Sequence, residues 1–213
     1  YLVWLKRQGL ASQTIASRIT DLTEALRVMQ PEANLDLLRT LCTTLQGQAE
    51  PSRNKHARIR APREIWKACE AFMLEIARSD SLLTHPIASR YRDAMILGVL
   101  AQRPLRRRNI ASLALGVHLA QDAGKWYCTI PHTETKDRRS IEFALPQDEG
   151  FATCYSYYLR VVRQKLLKHS PIDQDALHIL TGPLWVSTRG RILTDHALYY
   201  AVTRISEELL GKP

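Results

Sequence analysis

The sequence predicts a mainly α-helical protein with a small antiparallel β-sheet, an α+β fold divided into two domains. Apolar residues recur at helical spacing over residues 1–46 and again between residues 63 and 100. Over residues 126–145 apolar and polar side chains alternate, which is typical of a β-hairpin. A polar and basic stretch without an apolar period separates the helical regions. These patterns place a small helical domain before a larger mixed domain.

The first domain, residues 1–50, is predicted to contain three short helices. Leucine and isoleucine recur at helical spacing, and Gly9 and Pro31 interrupt the pattern at two points. Residues 51–61 are predicted to form a linker, because this segment is polar and basic and contains a proline. The second domain is therefore expected to occupy residues 62–213.

The second domain is predicted to begin with two helices that supply much of its core. Pro62 suits the first turn of a helix, and residues 63–79 carry one apolar stripe. Pro86 opens the next helix, which is apolar on nearly all sides as far as Leu100 and is therefore expected to be buried. A short helix over residues 106–113 is expected to follow.

The sheet is expected after this short helix. Residues 126–130 and 139–145 alternate between apolar and polar side chains, so we expect two antiparallel strands joined by a charged turn. Residues 113–121 are a candidate for a further strand.

Two helices are predicted to complete the domain, over residues 151–168 and 195–210. Thr194 is a candidate N-cap for the second of them, because its hydroxyl can accept a hydrogen bond from the first turn. Tyr199 and Tyr200 follow on an apolar stretch, and we expect both side chains in the core.

The composition excludes several classes of function. The formal net charge is +9 at pH 7, mostly from residues 56–213, so an anionic partner such as nucleic acid is favoured. The sequence contains no apolar run near the ~20 residues of a membrane span. It also lacks a glycine-rich phosphate loop and a His-Glu-x-x-His pair. Its four cysteines lie far apart, so we expect reduced core cysteines of a cytoplasmic protein, with no metal, cofactor or membrane partner.

Cationic side chains are concentrated directly after the buried helix, in the segment Arg103-Pro-Leu-Arg-Arg-Arg-Asn-Ile-Ala-Ser-Leu-Ala-Leu. Arginine binds phosphate oxygens with a planar fork that keeps its charge. The hairpin that follows places Thr135 and Lys136 at its turn, and a lysine there can serve as a general acid. This pairing is suited to hold one phosphate and to protonate its leaving group.

These motifs resemble those of the tyrosine recombinase (phage integrase) family, in which a helical core-binding domain precedes a catalytic domain with a small sheet. In the resemblance, Arg106 falls on the family's catalytic arginine and Leu113 on a leucine that trails it. Lys136 falls on the family's catalytic lysine at the hairpin turn. Arg107 and Arg108 remain alternatives for the catalytic arginine, since the assignment depends on register.

The chain departs from the family pattern at two points. Arg103 and Pro104 stand where the family has Thr-Gly, and Asn109 stands where it has a glutamate that orients neighbouring groups. The family's third box, His-x-x-Arg followed by the tyrosine nucleophile, is expected after Pro213. The chain as given is therefore expected to lack the nucleophile and to be inactive alone.

The resemblance implies site-specific DNA recombination, in which strands are cleaved and rejoined through a 3′-phosphotyrosyl link. Arg106 would stabilise the charge on the phosphate in the transition state, and Lys136 would protonate the leaving 5′ oxygen. Two other hypotheses remain open. One is a DNA-binding relative of the integrases that no longer cuts, and the other is a basic helical interaction domain without a nucleic-acid role.

Double-stranded DNA is the implied partner, with self-association of the protein on DNA, in the cytoplasm and at the nucleoid. Contacts to backbone phosphates would bind any sequence and would weaken as salt is added. The predicted DNA-binding residues are Arg53, Lys55, Arg58, Arg60, Arg107, Arg108, Arg138 and Arg139.

Overall fold

The structure is a computed structural model that describes residues 1–51, 59–79, 82–168 and 181–211. The chain divides into two compact units, Tyr1–Ile59 and Arg60–Pro213. The boundary between the units falls inside the segment 51–61, which the sequence predicts as a linker. Each unit has its own cluster of buried apolar side chains.

The described residues of the first unit form three helices, as predicted. The core of this unit is small and centres on Leu5, Ile15, Ile19 and Cys42. Gly9, which has a φ of +65°, lies between the first two helices, in a backbone conformation that glycine adopts without strain. The helices are α1 (Leu2–Arg7), α2 (Ser12–Met29) and α3 (Asp36–Gly47).

The second unit opens with two helices that pack against each other, α4 (Pro62–Arg78) and α5 (His85–Gln102). Pro62 lies in the first turn of α4, where a missing backbone N–H costs nothing. Most of α5 from Ala88 to Val99 is buried, which confirms the prediction of a core helix. The short helix α6 follows at Arg107–Ala111.

The sheet has five strands among the described residues, in the order β4-β3-β2-β1-β5. The predicted hairpin is confirmed, because β3 pairs antiparallel with β4 and also with β2. The strands are β1 (Ala114–Leu115), β2 (Leu119–Asp122), β3 (Lys125–Ile130), β4 (Ile141–Ala144) and β5 (Gly182–Pro183).

Two details of the sheet prediction are wrong. The sheet is mixed, because β1 and β2 pair in parallel at Leu115 and Leu119. Three residues connect the two strands, and the chain runs in the same direction in both. Gly116 in this connection has a φ of +77°, a conformation that glycine adopts without strain. Arg139, predicted to begin a strand, lies in the turn, because β4 begins only at Ile141. The backbone of Arg139 is hydrogen-bonded to the Thr135 side chain instead.

The predicted helix over residues 151–168 is present but is not uniform. It runs as α7 (Glu149–Tyr157), a π-helical segment (Tyr158–Val162) and α8 (Arg163–Leu167). The last helix, α9 (Asp195–Leu210), has the predicted cap, since the Thr194 hydroxyl accepts a hydrogen bond from the backbone N–H of Ala197 at 3.2 Å.

The expectation that Tyr199 and Tyr200 belong to the core is wrong. Their side chains are 52% and 59% exposed. The buried face of α9 is formed by Leu198, Ala201 and Ile205, which recur at helical spacing. The two tyrosines therefore point away from the core.

A buried polar network connects α5, α9 and the chain after β5. Arg92 is almost fully buried and donates to Asp93 and, at 2.7 Å, to the carbonyl of Val186. Asp93 is fully buried and also accepts from Arg204 of α9 at 2.6 Å. A buried charge is tolerated only when it is paired in this way, so the network fixes α9 against α5.

Among the described helices, none combines the length and the apolar character that crossing a lipid bilayer requires.

Candidate active site

The arginine cluster lies on the exposed side of α6. Ile110 and Ala111 are buried and anchor this short helix to the core. Arg106 is its N-cap residue, with the extended backbone conformation usual for that position. Arg106, Arg107 and Arg108 are all exposed, so three guanidinium groups lie together at the start of this helix.

The β3–β4 turn, residues 131–140, is closed at its base by a threonine. Thr135 is buried, and its hydroxyl donates to the carbonyl of Arg139 at 2.7 Å and accepts from the Arg139 backbone N–H at 3.1 Å. The turn tip, residues 136–138, projects beyond this clamp with all its side chains exposed. Arg138 has a φ of +52°, a left-handed conformation that a residue with a Cβ rarely adopts.

Two side chains of the α6 region hold the turn. Arg106 Nη2 lies 2.8 Å and 3.1 Å from the two carboxylate oxygens of Asp137. Asn109 is 3% exposed, and its Nδ2 donates to the carbonyl of Glu134 at 3.1 Å. The first contact is an exposed ion pair at the tip, and the second is a partly buried hydrogen bond at the base.

A histidine of the β1–β2 loop also contacts the turn. His118 Nδ1 accepts from the backbone N–H of Ala114 at 3.1 Å, so the proton of the neutral ring is on Nε2. Nε2 lies 3.1 Å from a carboxylate oxygen of Glu134. Because His118 is buried, this contact ties the base of the turn to the β1–β2 loop.

The structure brings together the two elements that carry the predicted catalytic residues. Lys136 is the immediate neighbour of Asp137, which is paired with Arg106. Within the part of the chain that the structure describes, the Lys136 ammonium has neither a hydrogen-bond partner nor an ion-pair partner. An exposed, unpaired lysine beside a held arginine has the freedom to approach a ligand bound at that arginine.

The other predicted DNA-binding residues differ in how they are placed. Arg107 pairs with Asp195 at 3.2 Å, which connects α6 to the start of α9. Arg60 is exposed in the second unit. Arg108, Arg138 and Arg139 are exposed on α6 and the turn, the two elements that Arg106 and Asn109 join. Three predicted contacts lie outside the described residues, namely Arg53, Lys55 and Arg58.

Sequence reasoning missed three groups near this site. Asp137 and Asp195 are the acidic partners of Arg106 and Arg107, and only the tertiary structure brings them there. The aromatic side chains of His196, Tyr199 and Tyr200 also pack edge to face along the first turns of α9. The alternation of acidic and basic residues in the turn was visible in the sequence, but it did not indicate which arginine Asp137 would meet.

The site has the chemistry of a cation-rich surface rather than that of a metal centre. Across residues 1–51, 59–79, 82–168 and 181–211, no group of three His, Cys, Asp or Glu side chains is arranged to hold a metal ion. Both ion pairs of the arginine cluster are about half exposed, so water and salt screen them strongly. An anion that approached this surface would compete with Asp137 and Asp195 for guanidinium groups that these carboxylates already orient.

Comparison of the chain with protein-family models, with curated proteins and with solved structures finds no match in any of the three.

Proposed function

We propose that this chain binds duplex DNA and that its arginine–lysine site acts on a backbone phosphate in site-specific strand cleavage and rejoining of the tyrosine recombinase type. The supporting observation is the Arg106–Asp137 ion pair, which joins the arginine cluster to the turn that bears Lys136. The net charge of +9 adds long-range attraction for DNA.

The proposed role of Arg106 is to bind the two non-bridging oxygens of the scissile phosphate. A phosphodiester resists attack because its charge repels nucleophiles, and that charge increases in the pentacoordinate transition state. A guanidinium that is already oriented stabilises this charge without reorganising during the reaction. Arg106 is 49% exposed, so a phosphate can reach it from solvent.

The proposed role of Lys136 is to donate a proton to the 5′ oxygen as it leaves. An alkoxide is a poor leaving group, and protonation in the transition state removes this obstacle. The attacking group would be a tyrosine hydroxyl that forms a 3′-phosphotyrosyl link, which conserves the bond energy for rejoining.

A second candidate function is DNA binding without cleavage. Two observations favour it. The guanidinium of Arg106 is paired with the Asp137 carboxylate in this structure. Asn109, which the resemblance aligns with the family's glutamate, donates its side-chain hydrogen bond to the turn. The cationic surface would serve this function equally well.

Duplex binding is the first test. Fluorescence anisotropy with a random-sequence duplex should show binding that weakens by at least tenfold between about 50 and 200 mM salt, because bound phosphates release counterions. Arg108→Ala should reduce the salt slope by about one, while the matched charge removal Arg160→Ala, at an exposed arginine outside the predicted DNA contacts, serves as the comparison. Absence of salt-dependent binding would exclude both DNA hypotheses and leave the interaction-domain hypothesis.

Covalent trapping separates cleavage from binding. A duplex selected from a random pool for tight binding is nicked near its centre and incubated with a form of the protein that includes the nucleophilic tyrosine. Cleavage should give a protein–DNA adduct that survives denaturation, and Arg106→Ala should abolish the adduct while most binding remains. Lys136→Ala should reduce the adduct, and a 5′-thiolate leaving group should restore it. Tight binding without any adduct would favour the non-cutting relative.

A further inference from the structure

We propose that Asp137 is a positioning residue of the phosphate site, which holds Arg106 in the DNA-free protein and yields it to the backbone phosphate when duplex binds. This inference rests on the proposed function, because it needs a phosphate at Arg106. The carboxylate of Asp137 would then serve as an internal substitute for the phosphate and keep the guanidinium oriented.

The geometry of the pair resembles the contact that a phosphate would make. Both carboxylate oxygens of Asp137 lie within hydrogen-bond distance of one Arg106 nitrogen, at 2.8 Å and 3.1 Å. A phosphodiester also presents two non-bridging oxygens to a guanidinium, and it can bind the nitrogen that Asp137 holds together with a second one in two parallel hydrogen bonds. The Arg106 side chain is 49% exposed and that of Asp137 is 60% exposed, so solvent and an incoming phosphate can reach the pair.

The turn is built so that only its tip would respond to this exchange. The base is held by the Thr135 clamp and by the partly buried hydrogen bond from Asn109 to the carbonyl of Glu134. Neither of these contacts involves Asp137. Loss of the Arg106–Asp137 pair would therefore release residues 136–138 and leave the base in place.

The same event would widen the range that the Lys136 side chain can reach. Its backbone is directly bonded to that of Asp137, so the ion pair restrains both residues. When a phosphate takes Arg106, the tip can move and bring the Lys136 ammonium towards the leaving oxygen. The presence of the substrate phosphate would then control the position of the general acid.

The test is a double-mutant cycle on duplex affinity. Asp137→Asn removes the competing charge at nearly constant size, and Arg106→Gln removes its partner. Asp195→Asn is the matched control, since Asp195 is similarly exposed and pairs with the adjacent Arg107. Dissociation constants are measured by anisotropy, with one duplex and one salt concentration for all variants. The melting temperature of each variant is recorded to verify folding.

We expect Asp137→Asn to tighten binding by about two- to fivefold, the range that an exposed ion pair can account for. This gain should be absent when Arg106 is already Gln, whereas the effect of Asp195→Asn should be the same in both backgrounds. Asp137→Glu, which keeps a carboxylate, should bind with nearly the affinity of the parent chain.

Two results would overturn the inference while duplex binding stands. One is an unchanged affinity for Asp137→Asn. The other is a gain that persists in the Arg106→Gln background, because it would then reflect the loss of a negative charge and not the release of Arg106. Failure of the unmodified chain to bind duplex at all would instead overturn the proposed function, and this inference with it.

Discussion

The Asn109 side chain has a structural role at a position that the family resemblance associates with catalysis. The resemblance to the tyrosine recombinases aligns it with a glutamate that orients neighbouring groups in that family. The amide is 3% exposed and donates to the carbonyl of Glu134. A neutral donor suits this place, because an unpaired carboxylate would be costly to bury beside a carbonyl oxygen.

Asn109→Asp should destabilise the protein by about 2–4 kcal/mol, since it replaces a buried donor by a charge that faces an acceptor. The measurement is the free energy of unfolding from urea titration at pH 7. Asn34→Asp is the control, because the Asn34 side-chain oxygen accepts from the Asp36 backbone N–H and an aspartate can do the same. A small effect of Asn109→Asp, similar to the control, would show that the buried hydrogen bond contributes little.

At this scale the sequence proposes residue types for a site but does not assign their contacts. Arginine and lysine were expected near one phosphate because of their chemistry, and the structure places Arg106 beside the turn of Lys136. The partner Asp137 could not be assigned from the sequence, because Asp137, Glu134 and Glu142 lie at similar distances along the chain from the three arginines. The fold decides which carboxylate meets which guanidinium.

Helix α9 shows why the existence of an element is easier to predict than the face it buries. Its start, its cap at Thr194 and its end were all predicted, because capping and helical spacing are local properties. Residues 197–202 are all apolar or aromatic, so their spacing does not identify one buried stripe. The packing of Leu198 and Ala201 against the core leaves Tyr199 and Tyr200 exposed.

Adjacent substitutions on α9 should therefore differ strongly. Leu198→Ala should lower the free energy of unfolding by about 2–5 kcal/mol, because it leaves a cavity in the core. Tyr199→Ala and Tyr200→Ala should change it by less than about 1 kcal/mol, because both rings are more than half exposed. Urea unfolding of the three variants provides the comparison. If the tyrosine variants lost as much stability as Leu198→Ala, α9 would be rotated from the orientation described.

Short strands mark the limit of prediction at the element scale. β1 and β5 have two residues each, too few for an alternating pattern, and their pairing joins parts of the chain that are about 70 residues apart in sequence. The π-helical segment Tyr158–Val162 is likewise invisible in the apolar spacing. These features follow from tertiary packing and not from local preference.

The two units of the molecule differ greatly in the size of their cores. The second unit buries most of the apolar side chains, including three of the four free cysteines, whereas Cys42 lies in the first unit. Burial raises the pKa of Cys69 to about 12 and the pKa values of Cys128 and Cys154 to about 11. These thiols keep their protons in the folded protein at a pH at which unfolded thiols lose them.

The second unit should accordingly lose stability in alkali. The thiols of the unfolded chain ionise near pH 9, so their contribution is fully present below that pH and is lost as the pH rises towards 11–12. Burial raises the pKa values of Tyr155 and Tyr158 as well, which adds to the same trend at higher pH. Urea midpoints at pH 8 and pH 10 measure the loss, and Cys128→Ala should make it smaller. A midpoint that does not fall with pH would contradict the buried positions of these groups.

The division into two units illustrates what composition can predict for a whole molecule. The polar, basic segment at residues 51–61 contains no apolar period, so the sequence predicts a linker there. The structure divides the chain within this segment, at Ile59 and Arg60. The mixed character of the sheet was beyond such reasoning, because it depends on the loop at Gly116.

The Thr135 clamp also has a consequence for the engineering of this protein. Because the clamp closes the turn below residues 136–138, the chemistry of the tip is separated from the folding of the hairpin. The three tip side chains can be varied together in a small library, while β3, β4 and the buried base keep their contacts. Only the position of Arg138, with its φ of +52°, restricts this freedom, and glycine or asparagine would satisfy it best. The tip of the turn is thus a segment in which variants with new ligand specificities can be selected while the rest of the hairpin is left unchanged.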